Sequence, residues 1–498
     1  MCLRKKQRRN GENYVTEIGE EQEEDYEKRK EIMGAASCRD NGIFSDGLRR
    51  IGGGNNSPSS DDTGSGETAQ EENDTAGEAA ADEDSGKTDS GERQKLIISC
   101  YLADDAQVAV REKYIDEPLK AAFPDVDIEI KMYSDRQSLQ VEVAGGGGPD
   151  ILDLDGPTDV AEFAKADKVL DLGAYADQYG WKDMFYEWAY NSCFYNDKLY
   201  SLPTSFEGMV MYYNMDVMEA NGWEVPKNKD ELVTLMQAAR DAGLIPIIFG
   251  NSDYQGAVDW LYSTFTSCYG GPAAIKAAME GTGKYTDEPI KSSIQTMVDW
   301  WHEGYIGENA SQSVSNMDML AFFSEGRGPM MIDGTWASNQ LLATYPECNW
   351  DSEMMPQDEA IGEILPFATG GGYAINANSK NPDLAAEVMN YLFTSLDRHY
   401  QSINEAGYQP YPLKEFDLAN LQGMDAKLMD QYELLMRAQD ENKIGYCSWT
   451  FYPSEMRVYM NENTDSLFLD VLTVDEYMEN AQGYIDAARE AGTIPVLP

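Results

Sequence analysis

The stretch GGGGPDILDLD, residues 145–155, decides how the chain is read. Four glycines break whatever precedes them, and Pro149 does not continue a helix. Ile151, Leu152 and Leu154 then make a short apolar run that reads as a strand, with Asp153, Asp155 and Gly156 at its end. Working back, VDIEIKM (126–132) has the alternation of a half-buried strand, and LIISCYL (96–102) is strand-like. Helical stretches at about 107–123 and from Ser138 lie between them. Strands joined by helices imply a parallel sheet with right-handed crossovers, so the fold class is α/β.

Working forward, the same alternation returns. Asn228 with Glu231 three residues on has capping-box spacing, the stripe Leu232, Leu235, Met236 and Ala239 is a buried face, and Gly243 ends the helix. IPIIFG (245–250) follows as a buried strand. Asn381 and Pro382 start another helix, with Ala385, Val388, Met389 and Leu392 inward. Thr473 and Glu476 start a last helix that runs to about Glu490. Two sheet-and-helix lobes account for this order better than one.

A chain of 498 residues suffices for two or three domains, and at 42% hydrophobic it builds ordinary cores without a run long enough to span a membrane. The net charge of −50 argues against a nucleic-acid partner, whose phosphates it would repel. Tyrosines are twice as many as phenylalanines, 30 to 15, which suits half-wet surfaces. The seven cysteines contain no Cys-x-x-Cys pair, and His302 and His399 are the only histidines, so no metal centre or cofactor is expected. Spacing leaves open whether any of the five downstream cysteines pair.

The amino end is of a different kind. Residues 1–51 open with LRKKQRR and an acidic block, EEQEEDYEKRK, and lack the apolar core of a secretory signal. Small residues precede Cys38, but the segment before them is charged, a poor lipoprotein cleavage site. Residues 52–93 are Gly, Ser, Thr, Ala and acid with almost nothing apolar, the composition of a flexible, self-repelling spacer.

In an open α/β sheet, ligands gather at the carboxyl ends of strands. Asp104 follows the first strand, and Asp153 and Asp155 the third. YSLPTSFEGMVMYYN (200–214) places Glu207 before an apolar run, and GPMMIDGTWASNQLL (328–342) places Trp336 after its own strand and the Gly334 turn. Each has a plainer role: helix capping for Asp104 and Asp155, a salt bridge for Glu207, core burial for Trp336. Asp153 and Glu207 also match a glycosidase acid and nucleophile, which need a separation of about 5–9 Å.

Together these motifs resemble the extracellular solute-binding proteins of ABC importers, the maltose-binding-protein-like group. The resemblance runs from about Lys95 to Pro498, through GGGGPDILDLD, LYSLPTSFEGMVMYYNMDVMEANGWEVPKNKDEL, FFSEGRGPMMIDGTWASNQL, GGGYAINANSKNPDLAAEVMNYL and LTVDEYMENAQGYI in that order. It implies a two-lobe periplasmic-binding-protein-like (type II) fold, with crossing segments at a hinge and the ligand in the cleft between lobes. Lobe 1 would hold 94–204 plus about 366–412, and lobe 2 would hold 205–365 plus about 413–498. It implies a non-catalytic monomer that captures a sugar or oligosaccharide and delivers it to a membrane permease.

Carried over by position, Trp336 matches the tryptophan on which a sugar ring stacks and Glu207 a carboxylate that accepts sugar hydroxyls. Asp153 and Asp155 fall at the first lobe's cleft edge. Trp260, with Tyr254 and Asp259, falls in the second lobe's cleft stretch. Tyr452 falls where a late aromatic closes the site, and Gly371 and Gly372 line the return crossing. Members of the group are exported and often lipid-anchored through a cysteine before an acidic spacer. Here Ile51 stands at that place, so residues 1–51 read as a wrong start or frame error, and the natural protein is expected to be extracellular and anchored. Polyamine or peptide binding, a sensory module and a secreted glycoside hydrolase are the competing readings.

Overall fold

The structure, a computed structural model, describes residues 93–100, 105–133, 136–252, 257–309 and 311–498. The expectations for residues 1–92, for Asp104 and for Tyr254 lie outside the described residues.

Five strands form the first sheet: β1 (Gln94–Cys100), β2 (Val126–Met132), β3 (Ile151–Leu154), β6 (Leu202–Pro203) and β12 (Gly372–Ile375), in the order β2-β1-β3-β12-β6. β1 runs parallel to β2 and β3 because a helix carries the chain back each time, residues 105–122 in the first case and Arg136–Ala144 in the second. β12 is antiparallel to both its neighbours, so the expected parallel sheet is in fact mixed. β4 (Phe194–Tyr195) and β5 (Lys198–Leu199) form a separate hairpin.

The second sheet is built on β7 (Glu207–Asn214), β8 (Ile247–Ile248), β9 (Met330–Gly334), β11 (Leu365–Ala368) and β13 (Ile444–Tyr446), in the order β13-β11-β7-β9-β8. β10 (Trp350–Glu353) adds to β7. Every residue of β7 and of β9 is buried, as central strands covered on both faces require. IPIIFG yields only two strand residues, because Ile245 N–H is taken by the Arg327 carbonyl and the strand pairs with β9 only at Ile247 and Ile248.

β6 and β7 are three residues apart yet belong to different sheets, as do β11 and β12. The chain therefore crosses between lobes at Thr204–Phe206 and returns at Thr369–Gly371, slightly beyond the boundary near 366 read from the sequence. A third passage lies within residues 407–425. The helix Leu396–Ala406 packs on Glu112–Asp116 of the first lobe, and the helix Ala426–Asp440 packs on β10 of the second. The five cysteines 100, 193, 268, 348 and 447 are free thiols. No helix of the described residues is long and apolar enough to cross a membrane.

Candidate functional site

The three crossing segments lie against one another. Thr204 donates its N–H to the Gly371 carbonyl at 3.0 Å, and Gly370 N–H donates to Ser205 Oγ at 2.7 Å. Phe206 N–H donates to the Pro410 carbonyl at 2.6 Å, which ties in the third passage. Gln409 in that passage accepts from Thr335 Oγ1 at 2.7 Å and donates to the Thr335 carbonyl at 3.2 Å. Thr335 immediately precedes Trp336.

Glu207 opens β7 where the first crossing ends. It is 6% exposed, and its carboxyl accepts from the Trp449 indole N–H at 3.1 Å (Oε1) and from Ser205 Oγ at 3.3 Å (Oε2). Burial pushes its acid up to about 7, against the pull of those two donors. Gly370 lies beneath the carboxyl, where any side chain would collide with it.

Trp336 follows β9 and is half-buried, its ring folded back over Gly334. Trp260 stands 5.7 Å from it, tilted by 55°, and Trp449 stands 6.0 Å from it, edge-on at 70°. Three indoles thus meet beside one buried carboxyl. Asp333 sits under this group, 2% exposed, with Oδ1 accepting the Gly334 N–H at 2.7 Å. Burial pushes its acid up to about 8, against that bond and the Trp336 indole.

The first lobe contributes less. Asp153 lies beside the buried Arg111, with Nη1 at 3.7 Å, and Arg111 Nε stands 3.2 Å from Asp116. Burial raises Asp153 to about 6, with Arg111 drawing it down. Asp155 is exposed and pairs with Arg136, which also reaches Asp159 at 3.2 Å. Gly371 meets Thr204 across the crossing, and Gly372 begins β12 opposite Leu154 and Pro203.

Two expected residues stand apart from this group. Asp259 is 1% exposed and bound by Arg457 Nε at 2.8 Å, Ser448 Oγ at 2.5 Å and Asn461 Nδ2 at 3.2 Å. Tyr452 is fully buried, with its hydroxyl 3.2 Å from Thr266 Oγ1 and its ring edge-on to Tyr285. The residue that sequence reasoning missed is Trp449, three positions before Tyr452 in CSWTFYP. The single turn Ser448–Phe451 turns it toward Trp336 and Glu207. Among the described residues, no group of three His, Cys, Asp or Glu is placed to hold a metal.

The family profile described as bacterial extracellular solute-binding protein matches residues 106–395, more than half of the chain. The chain belongs to that family. This solute-binding protein is 23% identical over 348 residues to the maltodextrin-binding protein MdxE of Bacillus subtilis, covering 66% of this chain and 78% of that one. It is 25% identical over 316 residues to the galactooligosaccharide-binding protein of the same organism, covering 60% and 66%. Among solved structures, a chitin oligosaccharide binding protein superposes with a TM-score of 0.67 at 22% identity, over 80% of this chain and all of that one. The maltose-bound MalE3 of T. maritima gives 0.60 at 19% identity, over 79% and 99%. At these identities the superpositions establish the two-lobe type II fold of the solute-binding protein.

Proposed function

We propose that this solute-binding protein captures a sugar or oligosaccharide between its lobes and hands it unaltered to the membrane permease of an ABC transporter. The observation that carries this reading is the half-buried Trp336 ring set beside Trp260 and Trp449, with the Trp449 indole N–H holding the buried Glu207 carboxyl. A pyranose has an apolar C–H face that an indole covers and rim hydroxyls that carboxyls and amides bind. The names of the relatives, binders of maltodextrin and galactooligosaccharide, support the same class.

Binding without turnover is supported by the family, which is one of solute-binding proteins, and the two acids of the hydrolase reading already have partners. Asp153 faces Arg111, and Glu207 is committed to Trp449 and Ser205. The ligand would draw the lobes together only through contacts it makes better in the closed state. Asp153, Asp155, Gly371 and Gly372 on the first lobe and Glu207, Trp260, Trp336 and Trp449 on the second are the surfaces proposed to meet it.

The test is a thermal-shift screen of the purified chain against maltodextrins, chitooligosaccharides, galactooligosaccharides, polyamines and peptides. A ligand at one hundred times its Kd stabilises by about 2.7 kcal/mol. Oligosaccharides that shift the transition and are recovered intact support the reading; a shift with polyamines alone, or cleavage lost in Glu207→Gln, overturns it. The finer reading of a lipid anchor ahead of residues 52–93 is tested by sequencing the coding region upstream. An apolar segment ending in cysteine supports it, and an unbroken frame without one overturns it.

A further inference from the structure

Trp449 binds the acid at the end of the first crossing and the first lobe at once. Its indole N–H donates to Glu207 Oε1 at 3.1 Å, while its carbonyl accepts from Thr158 Oγ1 at 3.0 Å. Thr158 lies in the helix Pro157–Lys165, which follows β3 of the first lobe; Trp449 follows β13 of the second. Gly156, at φ +88°, brings the first-lobe turn so close that a Cβ there would stand 3.3 Å from the Trp449 carbonyl oxygen and 3.5 Å from Cδ1. The next residue, Thr450, receives the Thr369 N–H at 3.2 Å and returns a bond to the Thr369 carbonyl at 3.3 Å. One short turn therefore grips the return crossing, the first lobe and the buried acid together.

We propose that Trp449 is a positioning residue: its indole fixes the Glu207 carboxyl, and its carbonyl, held by Thr158, makes that orientation depend on contact between the lobes. This rests on the reading that Glu207 faces the ligand. The physical reason is the scarcity of other donors among the described residues. Ser205 is the second donor to the carboxyl, at the longer distance of 3.3 Å. The titratable group facing Glu207 is the Cys447 thiol, which burial keeps protonated. Asp259 and Arg457, paired with each other, reach the same turn through Ser448 and Thr158. The indole N–H favours the ionised carboxyl, so losing it raises the acid further.

The test is pH-difference infrared spectroscopy on the full ligand-free chain, with the Glu207 band identified as the one that Glu207→Gln abolishes. In Trp449→Phe, which keeps an aromatic ring but no N–H, the midpoint of that band moves up by about one to two pH units, the worth of one hydrogen bond to a charged group. Thr158→Val, close to the same volume, moves it in the same direction by less. An unmoved midpoint in folded Trp449→Phe overturns the positioning role; an unmoved midpoint in Thr158→Val overturns the dependence on lobe contact. Absence of a band lost in Glu207→Gln overturns both. Calorimetry with maltotriose separates this from the reading it rests on. If wild type and Glu207→Gln bind it equally, Glu207 does not face the ligand, whatever its titration shows.

Discussion

The Glu207 carboxyl lies so close over Gly370 that a Cβ at Gly370 would stand 2.1 Å from Oε1 and 2.4 Å from Oε2. Glu207 follows directly on the outgoing crossing and Gly370 lies in the returning one, so their contact ties the two segments together. Gly370 is needed for this close approach, with no left-handed backbone involved.

Gly370→Ala should therefore disturb hinge and site together. The expected loss is about 1–3 kcal/mol of stability, the usual cost of forcing an extra methyl into a packed position. Thermal unfolding reads it. A variant as stable as wild type would mean that the carboxyl moves aside at no cost.

Trp336→Ala removes the half-buried ring that Trp260 and Trp449 flank. Oligosaccharide affinity should fall by about 1–3 kcal/mol, the range for losing a buried aromatic surface. Calorimetry on a variant shown to be folded by circular dichroism checks this, and undiminished affinity would remove Trp336 from the site.

The buried acids set a pH dependence. Burial raises Asp153 to about 6, Glu207 to about 7 and Asp333 to about 8. The unfolded chain releases these protons near pH 4, so the folded state holds more protons across the interval, and stability falls as pH climbs from about 4 to 8. Glu207→Gln should flatten this decline by up to about 3 kcal/mol. His399 works in the opposite sense: buried and accepting the Tyr411 N–H at 2.9 Å, it is held well below its usual value. Its contribution is lost as pH drops below about 6.5. Melting curves from pH 4.5 to 8.5 test both, and a Glu207→Gln profile parallel to wild type would refute the first.

Gly483 lies within the helix Val474–Ala491, and a Cβ there would meet nothing within 4 Å. Gly483→Ala should stabilise the protein by about 0.5–1 kcal/mol, because it removes backbone entropy from the unfolded chain. Denaturant titration measures it, and a destabilised variant would point to a contact on that face.

Local chemistry was the legible part of this chain. Asn228 Oδ1 accepts the Glu231 N–H at 3.0 Å, and Thr473 with Glu476 closes a full capping box, both as the spacing implies. The apolar stripes Leu232, Leu235, Met236, Ala239 and Ala385, Val388, Met389, Leu392 are buried as read. Pairings across hundreds of residues were not legible. Asp259 reads as a cleft acid until Arg457, 198 residues on, is seen to neutralise it. Trp449 and Tyr452 look equivalent in one line of sequence, and only the turn Ser448–Phe451 sends one to Glu207 and the other to Thr266. The antiparallel insertion of β12 carries no local mark, since four residues of GYAI suit either direction.

That insertion has a consequence for biosynthesis. As the chain leaves the ribosome, β1, β2 and β3 emerge early, but the strand that shields the open edge of β3 arrives more than two hundred residues later. Until Ile375 is made, the nascent amino-terminal half keeps an unpaired edge and an unfinished core, so it has little reason to lock prematurely. A polypeptide that stays pliable until it is nearly complete is the form that a narrow export channel can thread.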